Sequence, residues 1–107
     1  MIFTYNELKE YVSEDFERLY KMGFDEQQIF PAVLNEYIYG EDFCQTENIC
    51  IHILLGVSYA KKGLSMSVIR GKLEQLMSKD AVKEIRVELG REYTEFISDL
   101  DSIMAHG

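Results

Sequence analysis

The chain has few of the residues that build covalent or metal-linked frameworks. Its 107 residues include no tryptophan, one proline and two cysteines, Cys44 and Cys50. A structural zinc site needs four ligands, and no second pair of cysteines is available to complete one. The segment after Met1 runs into a polar, acidic helical pattern rather than a secretory leader. We therefore predict a cytoplasmic location, where thiols stay reduced.

Long apolar runs are also lacking. The longest, residues 49–60, is interrupted by polar residues and a glycine. It is shorter than the ~20 consecutive apolar residues that a membrane-spanning helix needs. We expect no membrane partner.

Basic residues are scarce in the first half of the chain. Residues 1–50 contain eleven acidic and three basic side chains, whereas residues 51–107 contain eight of each, so the first half carries the whole net charge of -8. Such an asymmetric field repels nucleic acid and anionic membranes and attracts basic partners. We therefore expect a protein partner with a basic surface and no nucleic-acid partner.

The apolar residues of the chain do recur with helical periodicity. Hydrophobic residues make up 47% of the sequence. We predict one domain over residues 1–107, with an all-α fold: a compact bundle of about five helices with a long C-terminal helix. The segments lie between Thr4 and Gly23, between Asp25 and Gly40, from about Gln45 to Lys62, from an N-cap at Ser65 to about Met77, and from Val82 to Ile103.

Local signals support the first two helices. Thr4 with Glu7, and Asp25 with Gln28, have the spacing of a capping box, in which each side chain bonds the other residue's backbone N–H. Pro31 complicates the second helix, because an interior proline removes a hydrogen bond and costs ~3 kcal/mol. Either the helix kinks there, or a short turn precedes a helix that begins near Pro31.

The later segments differ in their apolar patterns. The third is apolar almost all round, which predicts a central, buried helix. The fifth keeps one apolar seam over about six turns, which places Gly90 on the outer face of a continuous helix. Residues 84–89 also alternate like a strand, but the longer pattern favours a helix. The seam consists of Val82, Ile85, Leu89, Tyr93, Phe96, Leu100 and Ile103.

Residues that could carry catalysis do not converge. His52 and His106 are isolated, and His52 lies on the apolar third segment, where we expect a packed histidine bonded to a neighbour. Cys50 and His52 are two residues apart and face different directions on a helix. No glycine-rich phosphate loop is present. We predict no catalytic residue, no metal, no cofactor and no enzymatic activity.

Two clusters are candidates for binding a partner. The first combines acids and aromatics around a glycine turn, and its candidate residues are Glu36, Tyr39, Glu41, Asp42 and Phe43. Tyrosine is a favoured interface anchor because it has a large apolar body, a polar tip and few torsions. The alternative is an ordinary helix C-terminus with a loop aromatic over the edge of the core.

The second cluster is an acidic stripe on the first helix, formed by Glu7, Glu10, Glu14 and Glu17. Their steps of three, four and three residues place them on one face. Like charges at this spacing destabilise an isolated helix. A stripe of one sign therefore indicates selection for the negative electrostatic field that it creates. A surface that serves only solubility explains it equally well.

An acidic helical chain of this size, with a tyrosine-and-acid cluster at residues 36–43, resembles the small immunity proteins of bacterial toxin systems. The similarity covers residues 5–63, including the stretches 34–37 and 39–41. It implies a protein that neutralises a cognate toxin, such as a basic nuclease domain, through acidic residues and tyrosines. The chain departs from the nuclease-bacteriocin type in its length and five helical segments, so no individual residue role is carried over.

The predicted function is therefore an immunity or inhibitor protein. The alternative is a small helical adaptor or regulatory subunit, with the seam of the fifth helix as a possible homodimer interface.

Overall fold

The computed structural model describes residues 3–37 and 44–105, and its regular secondary structure is entirely helical over those residues. The all-α prediction is confirmed. The α-helices are α1 (Tyr5–Lys21), α2 (Glu26–Tyr37), α3 (Gln45–Lys61), α4 (Ser67–Leu76), α5 (Lys79–Leu89) and α6 (Tyr93–Ala105), with a 3-10 turn (Gly90–Glu92) between the last two.

The predicted capping box at the start of α1 is present. Thr4 Oγ1 accepts the backbone N–H of Glu7 at 3.1 Å, and Glu7 Oε1 accepts the backbone N–H of Thr4 at 2.9 Å. Gly23 follows α1 with φ of +91°, a left-handed conformation that glycine adopts without a steric penalty. One face of α1 is buried, formed by Tyr5, Leu8, Val12, Phe16 and Leu19.

The second capping box is also confirmed. Gln28 donates its backbone N–H to Asp25 Oδ1 at 2.9 Å and accepts the backbone N–H of Asp25 at 3.0 Å. Pro31 lies inside α2, which continues from Glu26 to Tyr37. The alternative of a separate turn before Pro31 is therefore wrong, because the first-turn bonds connect directly into the helix that contains it.

Helix α3 is the centre of the bundle, as its apolar pattern predicted. It contacts each of the other five α-helices, and twelve of its residues are buried. Gly56 permits a close approach of α3 and α6, because a Cβ at this position would lie 2.8 Å from Cδ1 of Ile103 on α6. A glycine in the middle of a helix is thus explained by packing.

Two predicted details need correction. Helix α4 begins at Ser67 with Met66 as its N-cap residue, not with Ser65, whose Oγ lies 3.2 Å from the Ser67 hydroxyl. The long C-terminal helix is confirmed over residues 79–105, but Gly90 is not in helical conformation within it. Its φ of +56° ends α5, and a 3-10 turn leads into α6.

The buried hydrophobic side chains of α1 to α6 belong to one cluster. The cluster includes four members of the predicted seam, which are Ile85, Leu89, Phe96 and Ile103. The chain's own core therefore covers most of the seam. None of the helices in the described ranges has the length and hydropathy needed to cross a membrane.

Candidate partner-binding surface

The acidic stripe lies on the outward face of α1. At about 100° per residue, the four glutamates point away from the buried face of that helix. Glu7, Glu10 and Glu14 are exposed, and Glu17 is half-buried. The helical period places all four charges in solvent, so the stripe is a surface and not part of the core.

The two ends of the stripe have partners within the chain. Glu7 serves the capping box, and Glu17 Oε1 lies 3.3 Å from Nζ of Lys62. The two central glutamates, Glu10 and Glu14, form no ion pair with any described residue. They are one helical turn apart, so their charges add in the same direction. The strongest uncompensated field of α1 is therefore at its middle.

Two exposed tyrosines flank the stripe. The side chains of Tyr11 and Tyr20 are each 38% exposed. The Tyr20 ring stacks on Phe16 at 5.7 Å, and Nζ of Lys62 lies 5.0 Å from its centroid. The Tyr11 ring contacts Phe3 edge-on at 5.3 Å. Both rings are thus held by contacts with the chain while part of each remains available to a partner.

The tyrosines were not among the candidates from sequence. Their positions beside the apolar residues of the first helix were visible, since both lie at the edge of its apolar stripe. The pairing of Lys62 with Glu17 and Tyr20 had no local signal, because it joins residues more than forty positions apart.

Glu36, from the first candidate cluster, is held by α1 instead of standing free. Its Oε1 accepts a 2.8 Å hydrogen bond from Nη2 of Arg18, which also lies 3.6 Å from Asp15. Burial and the neighbouring Asp15 carboxyl raise the pKa of Glu36. Tyr37 donates a 2.6 Å hydrogen bond to Asp15, and burial together with this bond raises the pKa of its hydroxyl. Arg18 thus partly compensates the charge of Glu36.

The remaining members of the first cluster are Tyr39, Glu41, Asp42 and Phe43. They lie outside the described residues, so their predicted role as a binding surface stays a prediction. Among the described candidates, the structure brings together the four stripe glutamates on one helix and places Glu36 beside Arg18 near the end of that helix.

The buried polar residues of α3 are arranged for packing. His52 is 3% exposed, and its Nδ1 donates to the Asn48 carbonyl at 2.8 Å, as expected for a packed histidine. Burial lowers its pKa. Cys50 is also buried, and burial raises the pKa of its thiol, which opposes formation of the nucleophilic thiolate. At neutral pH the Cys50 thiol therefore stays protonated and the His52 imidazole stays neutral.

Within the described ranges, histidine, cysteine and acidic side chains form no group of three that could hold a metal ion. The most distinctive surface of the described residues is the acidic stripe on α1 with Tyr11 and Tyr20 beside it. Comparison of the chain with protein-family models, curated proteins and solved structures finds no match.

Proposed function

We propose that the protein is a non-catalytic binding protein that places the outward face of α1 on a basic surface of another protein. The observation that supports this most directly is the pair Glu10 and Glu14, exposed and without an ion pair among the described residues. Unpaired like charges one turn apart oppose helix stability by about 0.2–0.5 kcal/mol. Docking onto lysine or arginine would convert that cost into a favourable interaction.

The flanking tyrosines add a second kind of contact. Lys62 already occupies the space between the Glu17 carboxylate and the Tyr20 ring, which illustrates how this face holds a cation. A partner's arginine or lysine would find a similar pair, a carboxylate and an aromatic ring, at Glu14 and Tyr11, which are one turn apart on α1. Carboxylates steer the encounter, whereas a tyrosine buried at the interface slows dissociation.

As the more specific role, we propose an immunity protein that neutralises a cognate toxin in the cytoplasm. A basic nuclease domain is the preferred target, because its nucleic-acid site presents the charge that complements the stripe. The resemblance of residues 5–63 to small immunity proteins also supports this role. Inhibition would follow from covering the substrate cleft or a neighbouring surface.

The test is affinity capture from the native cell extract at low and high salt, followed by an activity assay of the captured protein. The charge-reversal variant Glu10→Lys/Glu14→Lys is compared with Glu74→Lys/Asp101→Lys, which changes net charge equally at exposed acids outside α1. We expect a basic toxin that the wild type and the control inhibit and the α1 variant does not. A toxin that all three proteins inhibit equally would contradict the proposed surface, and a captured protein without toxin activity would contradict the immunity role.

The alternative function is a small helical adaptor, and its proposed homodimer has less support. Ile85, Leu89 and Phe96 are at most 6% exposed within one chain. The apolar face that was predicted to pair two copies is therefore largely used inside the bundle.

A further inference from the structure

The corner between α4 and α5 carries a surface of opposite character to α1. A depression of about 430 Å³ opens there, lined by Met77, Ser78, Lys79, Val82 and Lys83. Its volume lies within the range of roughly 300–1,000 Å³ typical of ligand sites. In a chain with a net charge of -8, the depression is a distinct chemical environment, because the charged groups that line it within the described ranges are two lysines.

The lysines are available for a partner. Lys79 and Lys83 are exposed and are one turn apart on α5, so they lie on the same side of that helix. Neither forms an ion pair with any residue in the described part of the chain. Two cations without an ion-pair partner among the described residues therefore border the depression.

The depression also has an apolar floor that the core does not fully use. Met77 packs against the hydrophobic cluster, whereas Val82 is half-buried and lies outside it. Val82 is the first member of the seam predicted from sequence, and the other seam residues all belong to the cluster or pack against it. One turn beyond Lys83, Val87 is 82% exposed. Val87 is about 140° from Val82 around α5 and lies beyond the lysines, so the apolar floor consists of Met77 and Val82.

We propose that this depression binds a protein segment that presents an apolar side chain flanked by carboxylates, such as an acidic amphipathic helix. Charge complementarity selects this occupant: the apolar side chain covers Met77 and Val82 while acids meet Lys79 and Lys83. A nucleic acid is disfavoured because an apolar floor does not bind phosphate and the whole chain repels it. A second copy of the chain is a disfavoured occupant, because two copies that each carry a net charge of -8 repel each other.

This inference does not depend on the proposed function, since it concerns another helix and a partner of opposite charge. If both surfaces bind, the protein connects a basic and an acidic partner. The outward face of α1 and the α4–α5 depression can be removed separately by mutation.

The test is a chemical-shift titration of the isotope-labelled protein with an amphipathic peptide of leucine and glutamate. A matched peptide with lysine in place of glutamate is the control ligand. We expect saturable shifts centred on the amides of residues 77–83 with the acidic peptide only. Binding should weaken about tenfold or more in Lys79→Glu/Lys83→Glu, because like charges then face the peptide. Val82→Ser should also weaken binding, since it removes apolar contact outside the core.

The variant Lys21→Glu/Lys61→Glu changes net charge equally at exposed lysines that do not line the depression. Its affinity for the acidic peptide should stay close to wild type. The proposal is overturned by equal weakening in both double variants, by equal binding of both peptides, or by a lack of shifts at residues 77–83 up to millimolar peptide. Concentration-dependent shifts at these residues without peptide would instead show that a second copy occupies the surface, which also overturns it.

Discussion

The phenol of Tyr5 donates a 2.7 Å hydrogen bond to Oδ2 of Asp99, which connects the first turn of α1 to α6 across 94 residues of sequence. Tyr5 is fully buried. Burial and the adjacent Asp99 raise the pKa of the phenol, so it remains a donor at every physiological pH. Lys9 lies 3.2 Å from the same carboxylate oxygen and 2.8 Å from Glu95. These contacts hold the acidic helix against the end of the chain.

Removing this hydroxyl should destabilise the fold. Tyr5→Phe keeps the ring contact with Phe96 but leaves Asp99 with Lys9 as its partner. We expect a loss of about 1.5 kcal/mol in the free energy of unfolding, because hydrogen bonds to charged groups contribute about that much. Urea denaturation measures the change. The control is Tyr11→Phe, whose exposed hydroxyl has no hydrogen bond within the described residues and should change stability by less than about 0.5 kcal/mol.

The carboxylate of Glu92 should stabilise the beginning of α1 from outside that helix. It accepts the backbone N–H groups of Tyr5 at 3.1 Å and Asn6 at 2.8 Å. These are first-turn donors that have no partner within the helix. Glu92→Ala should cost about 1 kcal/mol, as for the loss of a helix cap. Thermal unfolding should show a decrease of several degrees, whereas Glu84→Ala, at an exposed acid on α5, should not.

The contact between Gly56 and Ile103 predicts a compensating pair of substitutions. Gly56→Ala alone gains about 1 kcal/mol of helix propensity, but its methyl group collides with the Ile103 terminal methyl. Overpacking in a core costs about 1–3 kcal/mol, so the single variant should be neutral or destabilised. In an Ile103→Val background, Gly56→Ala should be stabilising. A double-mutant cycle should therefore give a coupling energy of about 1–2 kcal/mol.

A second glycine provides the control for this cycle. A Cβ added at Gly71 in α4 would have no tertiary neighbour within 4 Å among the described residues. Gly71→Ala should stabilise the protein by about 0.5–1 kcal/mol through propensity and chain entropy. A destabilised Gly71→Ala, or a Gly56→Ala that is equally stabilising in both backgrounds, would disagree with the packing described here.

His52 should make stability depend on pH. Its pKa in the folded state is below the ordinary value of 6.5, chiefly because burial disfavours the imidazolium. The unfolded chain therefore binds a proton more readily, so stability is fully present above pH 6.5 and falls as the pH decreases toward the folded pKa. Unfolding of wild type and His52→Gln between about pH 8 and about pH 5 should show this difference in slope, and identical slopes would contradict it.

Local signals in the sequence were sufficient for some elements. The capping boxes at Thr4 and Asp25 depend only on residues three positions apart, so both could be predicted from sequence. The apolar residues on nearly all sides of α3 likewise predicted its central position, because only a central helix buries all of its sides. The stripe from Glu7 to Glu17 followed directly from the period of the same helix.

Other features depend on groups that are distant in sequence or on one dihedral angle. Gly90 interrupts the C-terminal helix, yet the short 3-10 turn preserves the apolar spacing, so periodicity did not reveal the break. Arg18 compensates Glu36, and Lys62 pairs with Glu17, through tertiary contacts that sequence spacing does not encode. The depression beside Val82 was not visible, because the seam pattern predicted this residue to be core.

The most direct test of the acidic α1 surface is the association rate with the captured basic partner, measured by stopped-flow at several salt concentrations. For wild type and Glu74→Lys/Asp101→Lys, we expect fast association that slows steeply with added salt. For Glu10→Lys/Glu14→Lys, the rate at low salt should fall about tenfold or more, with a shallower salt dependence. Equal rates and salt slopes for both double variants would show that net charge, and not the outward face of α1, controls binding.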